Sequence, residues 1–143
     1  MPHINPPDDT IRKLLTTSRT VAMVGASSNP ERDSNGIFGK LQSVGYRVIP
    51  VNPRETEVLG EKAYATLADV PEKVDIVDVF RRAEDAPAIA ESAVKIGAKA
   101  LWLQQGIVSE EAAARATAAG LTVVMDRCLA TTHALMRIPK RTA

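Results

Sequence analysis

Residues that form disulfides or bind metals are scarce in this sequence. Cys128 is the single cysteine of 143 residues, which excludes an internal disulfide and favours a reducing compartment, the cytoplasm. The histidines are His3 and His133, and a metal site built from His133 and Cys128 alone would lack ligands. We therefore expect neither a disulfide framework nor a bound metal.

Long apolar runs and a strong net charge are also missing. No apolar stretch approaches the roughly 20 residues of a membrane span, and the N-terminal residues MPHINPPDD lack the order of a signal peptide. A net charge of +1 gives no general attraction to nucleic acid or to a membrane surface. The length suits one domain with its own core. We expect a single cytoplasmic domain over residues 1–143, with residues 1–9 as an extended N-terminal lead-in.

Five short apolar runs predict buried β-strands. Their residues are mostly continuous rather than alternating in polarity, which is typical of strands covered on both faces. The first run begins at Thr20, and the others are Arg47–Val51, 74–80, 100–104 and 122–126.

Helical patterns lie between these runs. Those at 36–44, 83–96 and 109–119 are each followed by a glycine, a common C-cap residue. A repeated order of helix, glycine and strand is typical of right-handed βαβ crossovers. We therefore predict an α/β domain of the Rossmann-like, doubly wound type. It would have a mainly parallel sheet of about five strands with helices on both faces.

Polar residues mark several predicted helix starts. Asp8 or Asp9 is predicted to cap a short helix before the first strand, because acids are favoured at helix N-termini. Ser109, which precedes two acids, is predicted to cap a later helix in the same way. Within residues 55–72 the pattern predicts only one helical turn.

A glycine turn follows the first predicted strand at Gly25. The backbone N–H groups of such a turn, and those of the next helix N-terminus, attract anions. Ser27 and Ser28 add hydroxyl donors, and Ser34 or Asn35 is predicted to cap the helix. The second glycine of a G-x-G-x-x-G motif is displaced here, so the turn alone is also compatible with a purely structural role.

The second predicted strand ends in Asn-Pro-Arg, at residues 52–54. Many NAD-binding proteins have an acid at this point, which holds the ribose hydroxyls. Arg54 instead favours a phosphorylated ribose through bidentate contacts, as in NADP or coenzyme A, and the alternative is a solvated loop residue. After the third strand, one of Arg81 and Arg82 is predicted to hold a pyrophosphate or cap a helix.

No catalytic set is visible in the sequence. A lone His133 is predicted to be structural, and Trp102 to lie in the core. Cys128 follows the last predicted strand beside Arg127, and a neighbouring arginine lowers the pKa of a thiol and makes it reactive. The simpler interpretation of Cys128 is a small buried residue.

Six short segments together resemble a known family. They are GASSNP (25–30), YRVIPVNP (46–53), LGEKAY (59–64), VDIVDVFRR (74–82), LWLQQGI (101–107) and VVMDRC (123–128). The set resembles the small stand-alone CoA-binding proteins, and it is similar to the CoA-binding domain of the succinyl-CoA synthetase α-subunit. The resemblance extends over about residues 10–133.

The resemblance implies a Rossmann-like domain that binds coenzyme A or an acyl-CoA at the carboxyl ends of its strands. The implied site residues come from four strand ends. Gly25, Ser27 and Ser28 would face the phosphates, Val51, Pro53 and Arg54 would border the adenosine and its 3′-phosphate, Phe80 and Arg81 would line the third strand, and Gln104, Gln105 and Gly106 would approach the pantetheine.

Two departures from the synthetase limit what the resemblance implies. The first loop is longer, and the ligase domain with its phosphohistidine loop is absent from these 143 residues. The expectation is therefore a non-catalytic or accessory protein that binds a small CoA ligand.

Other functions stay open at this point. The alternatives are an NADP-dependent oxidoreductase or an accessory nucleotide-binding subunit, and a redox role in which Cys128 exchanges with the CoA thiol. Self-association and a partner protein are also open, as are the acyl group and the physiological process.

Overall fold

A computed structural model describes residues 2–140 and shows a parallel sheet covered by helices. The strands are β1 (Thr20–Val24), β2 (Arg47–Val51), β3 (Glu57–Val58), β4 (Glu61–Lys62), β5 (Ile76–Val79), β6 (Ala100–Leu103) and β7 (Thr122–Val124). The central sheet has the order β2-β1-β5-β6-β7, and every neighbouring pair in it is parallel. Strands β3 and β4 form a separate antiparallel hairpin.

Helices connect these strands. They are α1 (Asp8–Thr17), α2 (Asp33–Ser43), α3 (Ala86–Lys95), α4 (Glu110–Ala118) and α5 (Leu129–Leu135). One hydrophobic cluster contains residues of α1, α2 and α5, and a second contains the alanine faces of α3 and α4. Alternate residues of the strands supply the two clusters, since successive side chains of a strand point to opposite faces. Trp102 and Leu101, both fully buried, belong to different clusters. The predicted doubly wound α/β fold is confirmed.

The start of α1 differs from the prediction. The N-cap residue is Pro7, and its carbonyl accepts the amides of Thr10 and Ile11 at 3.0 and 3.2 Å. The predicted Asp cap is wrong, because the proline already holds the extended backbone (φ −64°, ψ 160°) from which the helix starts. Asp8 and Asp9 lie in the first turn, where they complement the helix dipole. The extended lead-in therefore ends at Pro7 and not at residue 9.

Helix α2 also begins earlier than predicted, at Asp33 instead of residue 36. The N-cap residue is Arg32, whose amide closes a turn onto the carbonyl of Asn29 at 3.0 Å. Ser34 is buried inside the helix, and Asn35 donates its amide to the carbonyl of Ser27 at 3.0 Å. The predicted capping role of Ser34 or Asn35 is wrong, because the preceding turn already starts the helix.

Other local predictions are confirmed. The Ser109 hydroxyl accepts the amide of Ala112 at 3.1 Å and so caps α4, and a short 3-10 turn at Leu67–Asp69 is the predicted helical turn. Helix α5 and the β3–β4 hairpin were not predicted from the sequence. The predicted helix over 83–96 begins as a 3-10 turn at Ala83–Asp85 and becomes α-helical at Ala86.

The N-terminal residues are fixed to the edge strand β7. We call residues 3–5 the N-terminal strap. An imidazole nitrogen of His3 lies 2.9 Å from the carbonyl oxygen of Val123, and the Asn5 side chain bonds both backbone groups of Met125. His3 was predicted to lie in an extended tail, and the structure gives that tail a defined place. No helix among residues 2–140 has the length and apolar character to cross a membrane.

Candidate functional site

The order of the central sheet reverses direction between β1 and β5, and in open α/β sheets ligands bind beyond the strand ends at such a point. Gly25 lies there, with its amide 2.9 Å from the carbonyl of Val51. Its φ is +93°, and a Cβ atom at this position would lie 2.3 Å from the carbonyl oxygen of Phe80. The side chain of Arg81 passes over the same point. The turn therefore requires glycine and brings three predicted site residues, Gly25, Phe80 and Arg81, together.

The loop after Gly25 presents unpaired backbone donors. Within residues 2–140, the amides of Ala26 and Ser27 donate to no protein acceptor, although Ala26 is fully buried. The Ser27 hydroxyl accepts the amide of Asn29 at 3.1 Å, which holds the loop in a tight turn. The first amides of α2 follow, and such amides lack intrahelical partners. These donors fit the phosphate groups of a nucleotide.

Asn52 connects the first loop to the second. Its side chain donates to the carbonyl of Ala26 at 2.9 Å and accepts the amide of Arg54 at 2.9 Å. Its own amide donates to the carbonyl of Tyr64 at 2.8 Å. Asn52 thus fixes the position of the Arg54 backbone. The sequence placed Asn52 at the strand end but did not predict a role for its side chain, although an asparagine directly after a strand and before a proline is a known turn signal.

The Glu55 carboxylate accepts a hydrogen bond from Ser28, one of the residues predicted to bind the phosphates. The amide of Ser28 donates to a Glu55 carboxylate oxygen at 3.0 Å. The amide and the hydroxyl of Ser28 lower the pKa of Glu55, because both stabilise the ionised carboxylate. The predicted contact of Ser28 with a phosphate therefore competes with an acid of this chain.

Arginine side chains border the same edge. Arg54 is exposed and forms no ion pair with any described carboxylate, whereas Arg81 pairs with Asp85 at 3.5 Å and Arg82 pairs with Glu84 at 3.1 Å. An unpaired guanidinium is available for an external anion. Of these arginines, Arg54 is therefore the best placed to bind a phosphate, and its neighbour Pro53 is exposed beside it.

The predicted residues on the far side of the sheet divide into buried and exposed ones. Val51 and Gln104 are buried, and Gln104 accepts the amide of Leu129 at 3.0 Å. Gln105 and Gly106 are exposed, and the amide of Gly106 donates to Asp126 at 2.7 Å. Val51 belongs to a core cluster and its carbonyl accepts the amide of Gly25, while Gln104 holds the start of α5.

A buried acid lies close to this edge. Asp78 is fully buried on β5, and neither carboxylate oxygen has a hydrogen-bond partner within the described part of the chain. Burial, together with the charge of the nearby Cys128 sulfur, raises the pKa of Asp78 well above its ordinary value. Sequence reasoning missed Asp78, although an acid inside an otherwise apolar strand is an unusual signal.

His133 and Trp102, which were predicted to have structural and core roles, are both buried. His133 is buried in a T-shaped contact with Tyr46 (ring centroids 5.7 Å apart), and burial lowers its pKa. Trp102 is buried and donates its indole N–H to the carbonyl of Arg127 at 2.8 Å. The predicted structural and core roles of these two side chains agree with their positions. Among residues 2–140, no three His, Cys, Asp or Glu side chains form a group that could hold a metal ion.

Known proteins resemble this chain in both sequence and fold. A family model described as "CoA binding domain" matches residues 19–134. The uncharacterized protein YneT of Bacillus subtilis is 41% identical over 133 residues, which are 93% of this chain and 98% of YneT. The solved structure of a hypothetical protein from Pyrococcus horikoshii is 39% identical, with a TM-score of 0.88 over 96% of this chain and 99% of the other.

A larger enzyme contains a similar domain. The dinucleotide-forming acetyl-coenzyme A synthetase 1 of Ca. Korarchaeum cryptofilum is 28% identical, with a TM-score of 0.70. The match covers 84% of this chain but only 28% of that enzyme. The predicted resemblance to small stand-alone relatives, and to one domain of a CoA-dependent synthetase, is confirmed.

Proposed function

The chain belongs to the CoA binding domain family, and on that premise we propose that it binds coenzyme A or an acyl-CoA at the carboxyl edge of its sheet. The observation that carries the proposal is the pair of unpaired amides at Ala26 and Ser27, directly beyond β1. Ser27 is half-buried and its amide can donate to a phosphate, while the amide of the buried Ala26 lacks an acceptor, which is rare in folded proteins.

In the proposed complex, each part of the ligand lies beside the loop that follows one of the strands. Gly25, Ser27 and Ser28 would hold the phosphates, with Phe80 and Arg81 on the other side of the turn. Pro53 and Arg54, with the backbone of Val51, would border the adenosine, and the free Arg54 guanidinium would bind the 3′-phosphate. Gln105, Gly106 and the neighbourhood of Gln104 would receive the pantetheine arm.

We propose a binding or accessory role and not a ligase reaction. The chain corresponds to about a quarter of the synthetase that it matches, so the activity of that whole enzyme does not transfer to it. Coenzyme A is favoured over NADP, because the matched family is named for coenzyme A. An oxidoreductase would also need a proton donor beside the nicotinamide, and no finding identifies one.

Isothermal titration and thermal unfolding with three ligands test the proposal. Coenzyme A should bind with measurable heat and raise the melting temperature. At 100 times its Kd a ligand adds about 2.7 kcal/mol to the free energy of unfolding. Dephospho-CoA should bind more weakly, and NADPH should bind least. Absence of both heat and stabilisation with millimolar coenzyme A would refute the proposal, and stronger binding of NADPH would replace it with the alternative.

A further inference from the structure

Asp78 lies in the middle of the sheet without a partner. In the parallel ladder it is level with Met23 on β1 and Trp102 on β6. These neighbours are apolar or aromatic, and Asp78 is 0% exposed. An unpaired carboxyl in such a place destabilises the fold. Its presence therefore needs an explanation other than stability.

Cys128 lies against the same face of the sheet. It packs on the hydrophobic cluster that contains Met23 and Trp102, and it is half-buried at the carboxyl edge. Two bonds hold its neighbours, since Trp102 donates to the carbonyl of Arg127 at 2.8 Å and Gln104 accepts the amide of Leu129 at 3.0 Å. The backbone on both sides of Cys128 is thus fixed over the strand ends.

The pKa values of the two groups are shifted in opposite directions. Burial raises the pKa of Asp78, and the nearby Cys128 sulfur raises it further. Burial also acts to raise the pKa of Cys128, but hydrogen bonds from Thr131, Gln104 and the amide of Ala130 outweigh it and lower the thiol pKa. A carboxylate that holds a proton more strongly, close to a thiol that holds one less strongly, favours transfer of the thiol proton to the carboxylate.

The pair is connected to the proposed ligand site through Gln104. Gln104 follows β6 and accepts the amide of Leu129, the residue after Cys128, at 3.0 Å. It also helps to lower the thiol pKa of Cys128, and its neighbourhood is where the pantetheine arm is proposed to lie. The chemical group at the end of that arm in an acyl-CoA is a thioester. A thiolate is the side chain best suited to attack a thioester carbonyl.

We propose that Cys128 accepts the acyl group of an acyl-CoA, with Asp78 as the base that receives the thiol proton. This inference rests on the proposed function. The Cys128 sulfur forms a bond to the acyl carbon, and the bond from that carbon to the CoA sulfur breaks. The proton passes from Cys128 to Asp78 and then to the departing CoA sulfur. One thioester and one thiol are consumed and one of each is formed, so no oxidant or reductant is needed.

The test uses two acetyl donors on the full chain. Acetyl-CoA carries the nucleotide, whereas S-acetyl-N-acetylcysteamine is a small thioester without it. Intact-mass measurement should show one added acetyl group with either donor, and peptide mapping should place it on Cys128. Hydroxylamine, which cleaves thioesters, should remove it. Cys128→Ser should stay unmodified, and Asp78→Asn should react about a hundredfold more slowly.

Matched controls separate the role of Asp78 from a general effect on folding. Asp69→Asn removes an exposed acid and should react like the parent chain. Alkylation of Cys128 by iodoacetamide, followed in parallel, should slow in Asp78→Asn but not in Asp69→Asn. Equal rates in both variants would overturn the role of Asp78.

The outcomes also separate this inference from the proposed function. If neither donor modifies Cys128, the nucleophile is refuted whether or not coenzyme A binds. If only the small thioester reacts while titration detects coenzyme A binding, transfer from acyl-CoA is refuted and the binding function stands. If the small thioester reacts but acetyl-CoA does not, and coenzyme A gives neither heat nor thermal stabilisation, the binding function and the transfer from acyl-CoA are both refuted.

Discussion

The side chain of Asn5 forms two hydrogen bonds with the backbone of Met125. Its amide donates to the Met125 carbonyl at 2.9 Å, and its oxygen accepts the Met125 amide at 2.9 Å. Met125 is buried and directly follows β7, at the start of the segment that leads to Cys128. The N-terminal strap thus holds one end of the proposed site.

Asn5→Ala should destabilise the fold, because it leaves both backbone groups of Met125 without partners. We expect a loss of about 1–3 kcal/mol in the free energy of unfolding, measured by urea titration. Ile4→Ala is the matched control, since Ile4 is 84% exposed and should change stability little. Equal effects of both variants would contradict the assigned role of Asn5.

Gly25→Ala should destabilise strongly, whereas Gly36→Ala should not. A Cβ at Gly25 would lie 2.3 Å from the Phe80 carbonyl oxygen, and the φ of +93° is strained for alanine. At Gly36, inside α2, a Cβ meets no atom within 4 Å, and alanine should stabilise the helix by up to about 1 kcal/mol. Melting temperatures should therefore move in opposite directions, and a normal melting temperature for Gly25→Ala would show that the turn is not rigid.

Arg54→Gln should weaken binding of coenzyme A more than binding of dephospho-CoA. The reason is the loss of a charge-assisted contact that only the 3′-phosphate makes, about 1.5–3 kcal/mol, which is a rise in Kd of roughly 10- to 150-fold. Isothermal titration gives both values. Arg115→Gln is the control, because Arg115 pairs with Glu91 and Glu111 away from the strand ends. An equal loss for both ligands would place Arg54 elsewhere on the nucleotide.

Glu55→Gln should strengthen coenzyme A binding. The Glu55 carboxylate accepts the amide of Ser28, and its lowered pKa keeps it charged at neutral and mildly acidic pH. Glutamine removes the negative charge beside the phosphates, so we expect a several-fold lower Kd at low salt, with the difference shrinking as salt screens the charge. Glu57→Gln, on the nearby hairpin, tests whether any local acid has the same effect. A higher Kd for Glu55→Gln would show that the carboxylate supports the site.

Asp78→Asn should change how stability depends on pH. The carboxyl pKa of Asp78 is raised in the folded state, so between the unfolded pKa of about 3.9 and the folded value the unfolded chain binds fewer protons. Stability of the parent chain therefore falls as pH rises through this window. The variant lacks this loss, and its stability relative to the parent should increase from pH 4 to pH 8 in urea titrations.

Asp75→Asn is the control with the opposite sign. Burial acts to raise the pKa of Asp75, but the amides of Arg19 and Thr20 and the charge of Lys99 lower it overall. Its stabilising effect is present above the unfolded pKa and is lost as pH falls through the folded pKa. Asn should therefore be most harmful near pH 7. Parallel pH curves for the two variants would contradict both assignments.

The sequence predicted the sheet well because most residues of its strands are apolar and do not alternate with polar ones. The run at Arg47–Val51 has the bounds of β2, and the tight turn predicted at Gly25 is present. Helix starts were less predictable. Asp8 and Ser34 are good caps in isolation, but Pro7 and the turn at Asn29 had already fixed the backbone before them. Local propensity yields to the conformation of the preceding residues.

The interior of the proposed site was less visible in the sequence than its rim. Arg54 and Ser27 stand at strand ends and could be assigned by position alone. The relation between Asp78 and Cys128 depends on two strands, β5 and β6, and on the loop after β7, which are distant in sequence. A local sequence pattern does not indicate which face of a strand a later loop will cover.

The N-terminal strap and the segment at Tyr64 have a common consequence for assembly. The strap bonds Val123 and Met125 along β7, while the Tyr64 backbone exchanges bonds with Pro50 and Asn52 along β2. The carboxyl end of each outer strand is thus covered by this chain's own backbone or side chains, which opposes edge-to-edge aggregation there. We therefore predict that copies of the protein, where they associate, do so through helix surfaces and not by extending one sheet into the next.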